Sequence, residues 1–185
     1  LGDGAVAVHP GDERYAPIVG KLCEIPVGPK NARRLIPIIT DDYPDPEFGS
    51  GAVKITGAHD FNDYAVAQRN GIPLYVLMAP DATMREEGLS YADSAEIARA
   101  VANGEMTAEQ VDVDAVNLVP EEYRGLDRFE ARRRIVADIT AEGLAVMMPD
   151  EEGHPAPFVE QKPIMQPFGD RSKVVIEPML TDQWF

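Results

Sequence analysis

The sequence predicts an α+β fold. Short β-branched runs punctuated by Gly and Pro crowd the first 80 residues, helical patterns follow, and the chain returns to extended runs near its end. With 185 residues and 44% hydrophobic content the chain is long enough to bury a core of its own. No repeat, low-complexity tract or long linker divides it, so it reads as a single domain over 1–185 with a mainly helical insertion at about 81–143.

The early runs GAVAVHP, YAPIVG, CEIPVG, RLIPIIT, GAVKIT and PLYVLMAP read as strands. Prolines inside several of them argue against a regular central sheet and favour edges, bulges or a small irregular barrel. Between the last two runs, HDFNDYAVAQRNG sets Tyr64, Val66 and Ala67 near helical spacing, with Asn70 and Gly71 as the stop. Further on, Asp93 caps SAEIARAVANG with Glu96 three residues on, and Thr107 caps AEQVDVDAV with Gln110 likewise placed. The clearest helix is LDRFEARRRIVADITAEGL, with an apolar stripe at Leu126, Phe129, Val136 and Ile139 and a stop at Gly143. AVMMP, the polar turn DEEGHP, and the runs around FVEQKPIMQP and KVVIEP again look extended.

Charge restricts the partners. Against 17 Lys and Arg stand 32 Asp and Glu, a net charge of −15, which opposes any surface-wide hold on phosphate backbones, so a nucleic acid must be met locally. Arg132, Arg133 and Arg134 form the densest basic cluster; a solvated helix face accounts for it, and contact with a nucleic-acid strand is the alternative. The single Cys23 allows neither an internal disulfide nor a cysteine metal cluster and reads as a small apolar residue. No run approaches the roughly 20 apolar residues that span a bilayer, and LGDGAVAVHPGDERY lacks the pattern of a signal peptide. The expectation is a soluble, cytoplasmic piece that starts mid-protein and ends on IEPMLTDQWF at a cut.

Chemistry concentrates in GSGAVKITGAHDFNDY, residues 49–64. On a strand, Lys54 and Thr56 project from one face. Asp60 and Asp63, three apart at a helix start, share a face and sit well at the positive end of that helix. Two carboxylates, an ammonium and a hydroxyl suit a small amine-bearing ligand, whose ammonium would pair with a carboxylate. The alternative is that Asp60 only caps the helix and Asp63 decorates its first turn. His59 is open in the same way: a proton carrier or metal ligand, or a structural hydrogen-bonder. GxxxxGK[ST], GxGxxG, GxSxG and HExxH are all missing, and His9, His59 and His154 lack ligand spacing.

The same segment resembles the editing-pocket motif of valyl-tRNA synthetases. The isoleucine and leucine enzymes share its glycines and final Asp, whereas Lys54 and Thr56 followed by AHDFND look like the valine version. LGDGAVAVHPGDERY, YRGLDRFEARRRIVADITAEGL and GDRSKVVIEPMLTDQWF agree with it, and residues 86–120 are the least familiar. The resemblance implies the editing-domain fold of the class I valine, isoleucine and leucine enzymes, a β-barrel-like core decorated with helices. It implies an aminoacyl-tRNA deacylase that removes threonine wrongly esterified to valine tRNA. A hydrophobic pocket cannot strongly reject an isostere that adds a hydroxyl, valyl-tRNA synthetase being the known case, so a second, polar site must test for it.

By this resemblance Asp60 and Asp63 are catalytic. Asp63 holds the substrate α-ammonium, while Lys54, Thr56 and Asp60 read the threonine hydroxyl and Asp60 also orients water. Phe48 lines the pocket beside the terminal adenosine. The implied partners are the threonine-charged acceptor end of valine tRNA and the rest of the synthetase. The chain itself uses no cofactor, and ATP belongs to the parent's catalytic domain, whose HIGH and KMSKS signatures are missing here. Two departures stand out: the Thr-Arg-Pro-Glu-Thr wall that precedes Leu1 in the family is absent, which implies weak activity in isolation, and Gly57 and Ser50 replace the usual proline and threonine. Two other readings stay open. One is a metal-dependent hydrolase built from His59, Asp60 and Asp63; the other is a module that positions the tRNA 3' end without turnover.

Overall fold

The computed structural model describes residues 1–159, 165 and 167–180. Strands β1 (Ala5–Val8), β2 (Leu22–Glu24), β3 (Leu35–Thr40) and β4 (Ala52–Ile55) form one sheet in the order β2-β3-β1-β4. β1 runs parallel to β3 and antiparallel to β4, and β2 is antiparallel to β3. The α+β class holds, but the sheet is open, and no closed barrel forms among the described residues. Part of the reason lies in PLYVLMAP, expected as a strand. Its backbone groups go to a histidine side chain, at Leu77, and to loop residues, through the isolated bridge between Met78 and Met84, instead of to a neighbouring ladder.

Proline placement also differs from expectation. Pro37 stands inside β3, which is flanked on both sides. Ile38 exchanges both of its backbone hydrogen bonds with Gly20 and Lys21 on the β2 side, so the N–H that Pro37 lacks would have pointed toward β1. Pairing with β1 begins one residue later, at Ile38, and no ladder bond is lost. YAPIVG is a 3-10 turn over Ala16–Ile18 rather than a strand, with proline in its first turn, where no donor is needed.

Helix α1 (Phe61–Arg69) packs on this sheet. Ala5, Ala7, Ile55, Val66, Ala67 and Ile72 make a small cluster in which Ala5, Ala7, Ile55, Val66 and Ala67 have no exposed surface. Alanines on β1 let the helix come close. At Gly57 a Cβ would lie 2.7 Å from both Ala67 Cβ and Leu74 Cδ2, so the strand end and the helix approach more tightly than a side chain there would allow. A larger core on the other side joins Ile25, Ile36, Leu77, Val116, Leu118 and Tyr123 with Ala131.

The remaining helices depart in detail from the expected ones. α2 (Tyr91–Ala102) starts earlier than predicted: its cap is Ser90, whose Oγ accepts from the Asp93 amide, and Asp93 lies in the first turn. Thr107 and Gln110 do form a capping box, yet only a 3-10 turn over Ala108–Gln110 follows, because the chain becomes extended at Val111. α3 (Arg128–Ala141) is capped by Asp127. Its core-facing stripe is Ala131, Ile135 and Ile139 with Leu126, whereas Phe129 is exposed and stacks against Arg128. β5 (Met147–Pro149) and β6 (Pro155–Pro157) form a hairpin around the predicted polar turn, where Asp150 Oδ1 accepts from the amides of Glu152 and His154. Residues 160–164, 166 and 181–185, which carry much of the predicted FVEQKPIMQP run and the final TDQWF, lie outside the described residues. Among the described residues no helix is long and apolar enough to cross a membrane.

Candidate functional site

The β4-to-α1 transition is built around Asp60 and Asp63. Asp60 takes an extended backbone and its Oδ1 accepts from the amides of Asn62 at 2.8 Å and Asp63 at 3.1 Å, which satisfies two of the free donors at the helix start. The capping alternative for Asp60 is therefore what the geometry displays. Asp63 is different. It is 2% exposed, and its Oδ2 accepts from Lys54 Nζ at 2.8 Å and from the Thr56 amide at 2.8 Å. A buried carboxylate must be met by donors, and here the strand supplies both.

The alternation of β4 accounts for that meeting. Ile55 points into the core with no exposed surface, so Lys54 and Thr56 share the opposite face. The Lys54 side chain remains 58% exposed, leaving one side of the ion pair open to solvent. Burial pulls the Lys54 ammonium down, but the hydrogen bond and charge of Asp63 outweigh it and hold its pKa above the ordinary value.

At its far end α1 is tied down by Arg69. Arg69 donates to both oxygens of the buried Asp41, at 2.8 and 2.5 Å, and Asn70 Nδ2 adds a third bond at 2.8 Å. The Arg69 guanidinium, opposed by burial and helped by the Tyr43 amide and Asn70, holds the Asp41 carboxyl down at about 2. The helix is thus fixed at both ends relative to the sheet.

His59 adopts the structural alternative. Its Nε2 accepts from the Leu77 amide at 2.9 Å, so Nδ1 carries the proton and donates to the Pro178 carbonyl at 3.1 Å. Burial lowers its pKa, partly offset by the Pro178 carbonyl and the Glu177 charge. Both ring nitrogens are occupied by backbone. Among the described residues, no three His, Cys, Asp or Glu side chains come together as a metal would require.

Phe48 lies on the turn leading into β4 and is 70% exposed. Arg14 holds that turn through the Pro46 carbonyl at 2.8 Å, and Tyr15 through the Ser50 carbonyl at 2.6 Å. Arg132, Arg133 and Arg134 are all exposed, and the last two are paired with Glu130 on the same helix, as a solvated face would be.

One residue of the cluster escaped sequence reasoning. Asp3 Oδ1 accepts from the Thr56 hydroxyl at 2.6 Å. The two positions are 53 apart in sequence. The antiparallel register of β1 on β4, continued past Ala5 and Ile55 by the bond from Gly4 N to the Ile55 carbonyl, brings them together. Only the strand pairing carries that signal.

No family model matches the chain. Its relatives include a valine–tRNA ligase of Ruegeria pomeroyi, 66% identical over all of this chain and 20% of that protein's length. The valine–tRNA ligase of Dechloromonas aromatica is 42% identical over all of this chain and 15% of its own length. The chain spans a fifth or less of either relative. Matched throughout to one stretch of each ligase, the chain belongs to the valyl-tRNA synthetase family and corresponds to a segment of those longer relatives.

Proposed function

We propose that this segment is the editing domain of the synthetase and hydrolyses threonine from mischarged valine tRNA. The observation that carries the reading is the buried Asp63 carboxylate, held between the strand donors Lys54 and Thr56 at the edge of an open face. A substrate α-ammonium is a further donor for that carboxylate, which can accept more than the two bonds made by Lys54 and the Thr56 amide. Lys54, Thr56 and Asp60 read the threonine hydroxyl, and Phe48 receives the terminal adenosine. Valine in the same place leaves those polar groups unpaired, which disfavours it.

The chemistry asks little of the protein. Water attacks the ester carbonyl, the bond to the tRNA ribose oxygen breaks, that oxygen takes one of the water's protons while the other passes to solvent, and threonine leaves as its carboxylate. An aminoacyl ester is already activated, so a positioned water suffices, and Asp60 is the group assigned to orient it. The same reading takes the α+β frame as the class I editing-domain fold, residues 81–143 as an insertion in it, and the rest of the synthetase and the acceptor end of valine tRNA as its partners in the cytoplasm.

The test uses the full-length ligase that carries this chain, supplied with preformed Thr-tRNA and Val-tRNA for valine. Threonine is released much faster than valine, and the release is insensitive to chelators. Equal release of both amino acids, or an Asp63→Ala protein that still clears threonine normally, defeats the proposal. Loss of release on chelation turns the assignment toward metal-dependent hydrolysis. Lys54→Ala and Thr56→Ala weaken discrimination more than tRNA binding.

A further inference from the structure

We propose that Asp3 is a positioning residue that fixes the hydrogen-bond polarity of Thr56, so that the Thr56 hydroxyl faces a ligand as an acceptor only. The inference rests on the reading of Lys54, Thr56 and Asp63 as the amino-acid pocket. Thr56 Oγ1 and Asp3 Oδ1 are 2.6 Å apart, and a carboxylate has no proton to offer, so the hydroxyl is the donor. A hydroxyl owns one proton. With that proton committed, Oγ1 keeps lone pairs and nothing else. Asp63 likewise only accepts, through Oδ2, from Lys54 and the Thr56 amide.

Two acceptors beside the Lys54 ammonium favour a ligand that carries two donors. A threonyl ester offers an ammonium and a hydroxyl. A valyl ester offers the ammonium and sets a methyl group against Oγ1, leaving it without a partner. Were Thr56 free to rotate its proton, the same oxygen would also welcome ligands that present an acceptor. Asp3 removes that tolerance.

The carboxylate is held in register by a group that never reaches the site. Arg34 is 1% exposed and donates to two main-chain carbonyls, Nη1 to Asp3 at 2.9 Å and Nη2 to Leu1, with the Tyr91 side chain as a further hydrogen-bond partner. It also lies 5.9 Å from the centre of the Tyr75 ring. Burying a guanidinium is costly unless its donors are met, and here the peptide around Asp3 meets two of them. The flanks are tight as well: a Cβ at Gly2 would come within 2.9 Å of Leu77 Cδ1, and one at Gly4 within 2.3 Å of Ile72 Cγ2. Asp3 thus stands on a clamped stretch of backbone, with its own side chain 22% exposed toward the open face.

The experiment measures single-turnover release from Thr-tRNA and Val-tRNA for valine by the full-length ligase, over a range of enzyme concentration so that rate and affinity separate. Asp3→Asn places an amide where Thr56 is offered a donor as readily as an acceptor. It lowers threonine-over-valine discrimination about tenfold, the size of one hydrogen bond, and Asp3→Glu restores part of it. In a Thr56→Val background the same Asp3→Asn change has no further effect, whereas a merely structural role would add to the loss. Should Asp3→Asn fail to fold, Asp3→Glu and Asp3→Ala still decide: the first keeps an acceptor for the Thr56 proton and part of the discrimination, and the second loses it about tenfold. Unaltered discrimination in Asp3→Asn or Thr56→Val, or additive losses, overturns the inference. Equal release of both amino acids by the unmodified ligase ends the editing reading itself, a distinguishable failure.

Discussion

At the start of α1, Asp60 accepts from the amides of Asn62 and Asp63; at the start of α3, Asp127 accepts from the amides of Phe129 and Glu130. Both helices thus open with an aspartate cap and place a carboxylate three residues later. From there they diverge. Asp63 is 2% exposed and bound to Lys54 and the Thr56 amide on a neighbouring strand. Glu130 turns along its own helix to Arg133 and Arg134, whose side chains are 77% and 51% exposed. The local device is the same, and either carboxylate suits the positive end of its helix. What separates a candidate binding group from a solvated ion pair is the element opposite: α1 lies on β4, while the face of α3 that carries Glu130, Arg133 and Arg134 meets solvent.

The contrast breaks most visibly at the two carboxylates. Asp63→Ala strips the Thr56 amide and the Lys54 ammonium of their shared acceptor and lowers the free energy of unfolding by roughly 2–3 kcal/mol, read from urea melts. Glu130→Ala leaves the midpoint where it was. Equal losses at the two sites would erase the distinction.

A smaller effect sits just before α1, where His59 has no counterpart ahead of α3. Burial depresses its pKa in the folded state below the ordinary 6.5. The unfolded chain therefore binds the proton more readily, and the stabilisation is present above 6.5 and is lost as pH falls through 6.5 toward the folded value. Urea midpoints decline on that acid limb, and His59→Gln flattens this part of the decline. A profile unchanged by the substitution contradicts the assignment of His59 as a neutral, backbone-bound group.

Phe129 marks the small end of the scale. It occupies a position that helical periodicity assigns to the core, yet it is 57% exposed. Phe129→Ser changes stability by no more than about 0.5 kcal/mol, measured in the same melts. A loss several times larger would put the ring back among the core contacts.

Much of the site was legible because strand and helix periods are local. Lys54 and Thr56 share a face since Ile55 fills the core between them, and Asp60 and Asp63 follow from capping chemistry within four residues. Asp3 was not legible: its partnership with Thr56 depends on antiparallel pairing across 53 positions. His59 was ambiguous for a related reason, since its two backbone partners, Leu77 and Pro178, lie 18 and 119 residues away. Errors in the fold have the same source. PLYVLMAP has the composition of a strand but, among the described residues, pairs only through the Met78–Met84 bridge, and the spacing that puts Phe129 on an apolar stripe carries no information on where the core lies.

The sequence by itself determined the α+β class, where α1 and α3 lie, the polar turn of the β5–β6 hairpin and the segment in which chemistry concentrates, because each depends on residues within a turn or two of one another. Tertiary structure decided which carboxylate is buried, which way the Thr56 hydroxyl donates and whether the sheet closes. Those outcomes depend on what packs against each group, and a buried polar atom takes its role from the partner that spares it the cost of desolvation.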